Sequence, residues 1–264
     1  MYEFEYHQPK TLEDAAKLFA DAEDPQYMAG GQTILPVMKQ RLAMPSDIID
    51  LGRIPELTGI SVDGNTLTIG AMTRHAEVAN SDKVGKAIPA LAELASNIGD
   101  PAVRNRGTLG GSIANNDPAA DYPAALTALE ATIHTTARDI AAEDFFTAMF
   151  ETALEEGEMI IKVTFPAPKN AAYEKFPNPA SRYATVGVFV ARHVDGARVA
   201  VTGAGPCVYR IKEYEAALDK DFSASALDAI TISAEGLNSD LHASAEYRAN
   251  LIGVMAARAV TQAG

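Results

Sequence analysis

The chain contains one cysteine, Cys207, among its 264 residues. A single thiol closes no internal disulfide, and it cannot hold an iron–sulfur cluster, which takes about four protein ligands. So sparse a thiol content fits a reducing compartment, and a cytoplasmic place is expected. Basic residues are also few: 22 Lys and Arg stand against 35 Asp and Glu, a formal net charge of −13. That balance argues against a nucleic-acid groove or an anionic-membrane surface, both of which need basic patches. It leaves room for a phosphate-bearing small molecule, because backbone amides hold phosphate without net positive charge. No apolar run reaches the roughly 18 residues of a membrane span. Met1 to Lys10 lacks the basic-then-apolar order of a signal peptide. The histidines His7, His75, His134, His193 and His242 offer no i, i+4 pair and no H-E-x-x-H, so zinc is not expected. There is no Gly-x-Ser-x-Gly elbow and nothing like a nicotinamide fingerprint.

What is present is an ordinary globular composition, 47% hydrophobic and 22% charged. The length suggests two domains, or three small ones sharing faces. Tyr2 to Tyr6 alternates aromatic and acidic residues, as a half-buried strand does. Thr11 caps a helix carrying Leu12, Ala15, Ala16 and Phe19 on one face, and Pro25 ends that element. Tyr27 to Ala29 and Ile48 to Leu51 read as short strands, with a helix or irregular segment over Ile34 to Leu42. This is the α/β order of a small first lobe, residues 1–53. A second lobe, 54–166, opens on a hairpin whose turn is Asp63-Gly64-Asn65. Helices are expected over 73–80 with Thr73 as cap, over Ile88 to Ile98 and over Pro118 to Glu130, with strands at Ala131 to Thr135 and Met159 to Phe165. Two prolines in Pro166 to Asn170 mark a linker. Beyond it, residues 171–264 hold a hairpin turning at Asp195-Gly196 and a long helix from Ser244 to Gln262.

Two Gly-Gly bends carry the chemistry. The first lies in Ala29-Gly30-Gly31-Gln32-Thr33-Ile34-Leu35, the second in Thr108-Leu109-Gly110-Gly111-Ser112. Adjacent glycines permit positive φ and leave the backbone bare, and each pair has a hydroxyl beside it. Bare amides and a hydroxyl form a donor nest suited to a pyrophosphate. Either bend alone is equally a tight turn, and neither matches the G-x-G-x-x-G or P-loop spacing.

In sequence, Ala29 to Lys39 resembles the first flavin loop of the medium, FAD-binding subunit of the molybdenum hydroxylases, the group of carbon monoxide dehydrogenase, xanthine dehydrogenase and aldehyde oxidase. Ile98 to Ser112 resembles the second loop, and Asp117 to Pro123 continues the match. The likeness runs on through Gly157 to Ile161, Tyr173 to Phe176, Ser181 to Val188 and Ala245 to Arg248. It implies an α+β fold: a two-lobed FAD-binding domain of the vanillyl-alcohol-oxidase type, then a small α/β C-terminal domain. It also implies a division of labour. A large subunit with the molybdenum cofactor oxidises the substrate, a small subunit with [2Fe–2S] clusters relays electrons, and this subunit passes them through FAD to an external acceptor.

By this resemblance the amides of Ala29, Gly30, Gly31, Gln32, Thr33, Ile34 and Leu35, with the Thr33 hydroxyl, hold the FAD pyrophosphate. Thr108, Gly110, Gly111 and Ser112 approach the pyrophosphate and ribityl chain. Asp121 accepts hydrogen bonds from the cofactor's hydroxyls; its plainer role is an acid at a helix start. Ile160 touches the flavin rings, and Lys175 stands near them, where a cation raises the flavin potential. Tyr183 is a candidate to cover the isoalloxazine, with Tyr173 and Tyr122 in competition. Two departures stand out: Ala114-Asn115-Asn116-Asp117 replaces the family's Ala-His-Ala-Asp, and Ile98 stands where xanthine dehydrogenases place an aromatic residue. Arg104 and Arg106 suit either phosphate contact or an interface. The alternatives are a non-redox nucleotide-binding or scaffold module, and a stand-alone flavin oxidase.

Overall fold

The computed structural model describes residues 1–264 in three units. The first comprises β1 (Glu5–His7), α1 (Leu12–Asp21), β2 (Pro25–Met28), α2 (Ile34–Lys39) and β3 (Asp47–Asp50). Its three strands run parallel in the order β1-β3-β2. Thr11 caps α1 as expected, its hydroxyl accepting from the Asp14 amide at 3.1 Å. The first strand begins only at Glu5, where pairing with β3 begins; Tyr2 is exposed.

The second unit runs through β4 (Ile60–Asp63), β5 (Thr66–Gly70), α3 (His75–Ala79), α4 (Asp82–Ala87), α5 (Pro89–Ser96), α6 (Pro101–Arg104), α7 (Leu109–Asn115) and α8 (Tyr122–Ala128). It continues with β6 (Thr132–Thr135), β7 (Asp139–Ala141), α9 (Ala142–Phe145), the small hairpin β8 (Phe146–Ala148) and β9 (Glu151–Thr152), and β10 (Ile160–Pro166). Its antiparallel sheet has the order β4-β5-β10-β6-β7. Thr73 does not cap α3. It is buried, and its hydroxyl donates instead to the Gly59 carbonyl, so a tertiary bond replaces the local cap. The helix expected from Pro118 starts only at Tyr122, because the carbonyls of Pro118, Ala119 and Ala120 are taken by the third unit.

That unit is the antiparallel meander β11 (Asn170–Pro177), β12 (Ala184–Arg192), β13 (Ala197–Thr202) and β14 (Tyr209–Arg210), with α10 (Lys212–Leu218) and α11 (Ala245–Ala263). The unbroken apolar run of β12 reflects burial on both faces. Phe189 and Ala191 enter the core built around α8 and the five-stranded sheet, while Val186, Val188 and Val190 enter a separate core with Leu251, Ile252 and Met255 of α11. No helix is long and apolar enough to cross a membrane.

Candidate functional site

Gly31, with φ +72°, turns the chain out of β2 and into α2. Thr33 is the N-cap residue of α2, yet its hydroxyl caps nothing. The amides of Gly30, Gly31, Gln32, Thr33 and Ile34 donate to no group in the protein. Five successive amides with no protein partner, on the cleft wall, form a run of donors able to hold an anionic group.

The second bend lies against the first. A Cβ on Gly30 would overlap the Arg106 carbonyl oxygen and stand 2.8 Å from the Gly107 Cα. A Cβ on Gly111 would stand 3.0 Å from the Ala29 Cβ. The two bends, distant in sequence, therefore meet backbone to backbone, and only glycine admits the approach. Between the units opens a cleft of about 1090 Å³, lined by both bends. It exceeds the usual ~300–1,000 Å³ of a small-molecule pocket, leaving room for a dinucleotide.

The second bend is not a second nest of bare amides. Gly110 and Gly111 lie in the first turn of α7, with Thr108 as its cap. The Leu109 amide donates to the Thr73 carbonyl, Gly110 to the Ala71 carbonyl at 2.8 Å, and Gly111 to the Thr108 hydroxyl at 3.1 Å. What this bend offers a ligand is side chains: the Thr108 proton, the Ser112 hydroxyl and the Asn115 amide, all on the cleft wall. Only Gly31 of the four glycines uses positive φ; close approach explains Gly30, Gly110 and Gly111.

Ala29, Gly30, Gly31, Gln32, Thr33, Ile34, Thr108, Gly110, Gly111, Ser112, Asp121 and Ile160 all line the cleft. Leu35 and Lys175 do not. The Leu35 amide is occupied by the Gly31 carbonyl, and its side chain packs under Gly31. Lys175 stands behind Asp121, its Nζ 3.0 Å from Asp121 Oδ1 and donating to the Asn97 carbonyl at 2.8 Å. Tyr173 donates to the same Oδ1 at 2.5 Å. Asp121 is 5% exposed, and its Oδ2 has no partner in the protein. Burial pushes the Asp121 carboxyl above the usual carboxylate range, against the pull of Lys175 and Tyr173. Asp121 stands at the N-cap position of α8, as a helix-start acid does, but makes no side-chain cap bond there.

Of the three tyrosines only Tyr183 lines the cleft, 52% exposed at its mouth; Tyr122 and Tyr173 are buried away from it. Ile98 also lines the cleft. Arg104 is structural, donating to the carbonyls of Ile98 and Gly99, while Arg106 is exposed. The cleft's only Lys or Arg is Arg182. Asn116 is buried in a left-handed turn and holds the carbonyls of Ala148 and Glu151, leaving Asn115 to the cleft. Sequence reasoning missed His75 and the stacked pair Phe19 and Tyr27, which also line the cleft. No local pattern distinguishes them from core residues.

Touching glycine bends, unpaired amides and a cleft of dinucleotide size are the features of a protein suited to a phosphate-bearing cofactor. The chain belongs to the family described as FAD binding domain in molybdopterin dehydrogenase, matched over residues 2–168, with a CO dehydrogenase flavoprotein C-terminal domain over residues 171–263. It is thus of the FAD-binding medium-subunit type found in oxidoreductase complexes such as carbon monoxide dehydrogenase. It is 36% identical to the nicotine 6-hydroxylase medium subunit of Paenarthrobacter nicotinovorans, covering 98% of this chain and 96% of that protein. It is 37% identical to the carbon monoxide dehydrogenase medium chain of Hydrogenophaga pseudoflava, with the same coverage. The solved carbon monoxide dehydrogenase of that organism, in a form lacking the Mo-pyranopterin moiety, superimposes with a TM-score of 0.89 at 37% identity, over 99% of this chain and 97% of that one.

Proposed function

We propose that the cleft holds FAD with its pyrophosphate on the amides of Gly30 to Ile34, and that the chain carries electrons from the [2Fe–2S] clusters of a small partner subunit to an external acceptor. The substrate is then oxidised in a large subunit bearing the molybdenum cofactor, and the assembly works in the cytoplasm. The observation that carries the reading is the run of five unpaired amides pressed against the second bend. The residues fit the cofactor: neutral donors meet the diphosphate in a chain of net charge −13, whose cleft carries a single basic side chain, Arg182.

FAD, when bound, supplies exchange of one or two electrons, so the protein's tasks are orientation and electrostatics. Thr33, Thr108 and Ser112 donate hydroxyl protons to the diphosphate and its neighbouring chain. Asp121 Oδ2 accepts from a ligand hydroxyl. Ile98 and Ile160 give apolar contact to the ring system, and Tyr183 covers it at the mouth. Lys175 acts through Asp121, which stands between it and the cleft.

The purified chain is expected to be yellow, or to become so on adding FAD, with about one flavin per chain and neither iron nor molybdenum. Gly30→Ala forces a methyl group into the Arg106 carbonyl and is expected to weaken FAD at least about tenfold, ~1.4 kcal/mol. A colourless chain that cannot be reconstituted, or tight binding of another nucleotide with FAD rejected, overturns the reading in favour of a non-redox module. Oxidation of an organic substrate by the chain alone points instead to a stand-alone flavin oxidase.

A further inference from the structure

Asp121 ends a strap, residues 117–121, that forms part of the cleft wall but is held from outside it. The Pro118 carbonyl accepts from the Gly203 amide at 2.7 Å and from the Thr202 hydroxyl at 3.0 Å. The Ala119 carbonyl accepts from the Ala184 amide at 3.4 Å, and the Ala120 carbonyl from the same Thr202 hydroxyl at 2.6 Å. Asp121 Oδ1 accepts from Tyr173 and faces Lys175. All of these partners lie on β11, β12, β13 or the residue just beyond β13. Thr202 is 1% exposed and Tyr173 4%, and neither lines the cleft.

Gly187 makes this arrangement possible. On β12 it stands in register with Lys175 on one side and Thr202 on the other. It shares the face of Phe189 and Ala191, which enter the core containing α8. A Cβ there would overlap the Tyr173 hydroxyl and stand 2.9 Å from Thr202 Cγ2. A glycine inside a central strand weakens it, and here the missing side chain is the gap through which the Tyr173 hydroxyl reaches Asp121.

We infer that Tyr173, Thr202 and Gly187 are positioning residues for Asp121, so that the C-terminal unit sets one wall of the cofactor cleft with side chains that never enter it. The inference rests on the reading of the cleft as the FAD site. With Oδ1 saturated by Tyr173 and Lys175, the carboxylate cannot rotate without losing a buried hydrogen bond, and Oδ2 is held toward the ligand. The single Thr202 proton is shared between two carbonyls, which sets the strap's path just before Asp121.

The test is a double-mutant cycle on FAD affinity in the full chain, read by flavin fluorescence titration, with thermal unfolding of the apoprotein beside it. Tyr173→Phe and Thr202→Val are each expected to weaken FAD about tenfold and to alter the visible spectrum of the bound flavin. Thr202→Ser, which keeps the hydroxyl, is expected to restore binding. In an Asp121→Asn background, Tyr173→Phe is expected to cost little more. Gly187→Ala is expected to mimic Tyr173→Phe, and the isosteric Tyr173→Phe carries the test if that variant fails to fold. A wild-type chain that takes up no FAD overturns the reading of the cleft and the inference with it. Uptake by the wild type with fully additive losses in the cycle, or Tyr173→Phe binding as well as wild type, overturns the inference alone.

Discussion

His75 is 4% exposed, its Nδ1 has no partner, and its ring lies 5.4 Å from that of Tyr122. Burial, aided by the positive charge of Arg104, lowers its pKa to about 4. The ring is therefore neutral in the folded chain near neutral pH. Because the folded value lies below the unfolded one near 6.5, the stabilisation is complete above about pH 6.5 and is lost as pH falls through 4. The loss is on the order of 3 kcal/mol. Urea midpoints are expected to fall across that window, and His75→Phe to flatten the decline relative to wild type. Parallel curves for the two proteins would falsify the assignment. In the sequence His75 is one of five histidines without metal spacing, and nothing local reveals its burial. Thr33 and the Gly30 pair were legible, because glycines and hydroxyls beside a strand end are a local signal.

At the scale of elements, α7 stands on one cap. Thr108 is 3% exposed, and its hydroxyl holds the Gly111 amide at 3.1 Å, in a first turn that contains two glycines. Thr108→Val removes that bond and is expected to destabilise the chain by about 1 kcal/mol, with Thr108→Ser restoring most of it. Denaturant titration of the three proteins measures this; an unchanged midpoint in Thr108→Val counts against the cap. Hairpins β4–β5 and β12–β13 were legible because Asp-Gly turns and alternation act over neighbours in sequence. The α3 cap and the start of α8 were not, since Thr73 and the Pro118 to Ala120 carbonyls bond to partners far along the chain. β11 escaped a residue-level reading because Asn170 to Pro177 has no clean alternation of its own; its pairing with β12 defines it.

Across the whole molecule, Pro166 to Asn170 changes the sheet without breaking the packing. Tyr173, Phe189, Ala191 and Ala200 lie in the same buried cluster as Leu67, Ile133 and Phe165. Removing residues 171–264 would expose that cluster and release the 117–121 strap. The full chain is therefore expected to melt with its second and third units in one transition, and a fragment of residues 1–168 to lack protected core amides in hydrogen exchange. Two well-separated transitions for those units, or a fully protected fragment, would count against this. The sequence alone determined α1, the β4–β5 and β12–β13 hairpins, the long C-terminal helix and the positions of the two Gly-Gly pairs, and the resemblance those pairs carry gave the family and its cofactor, because strand periodicity, turn chemistry and glycine placement act over a few residues. Only the tertiary structure decided that the first bend keeps its amides free while the second does not, that Tyr183 lines the cleft, and that Lys175 stands behind Asp121. Whether a donor is satisfied or a charge is buried depends on what distant segments bring to it, and no local stretch of chain encodes that.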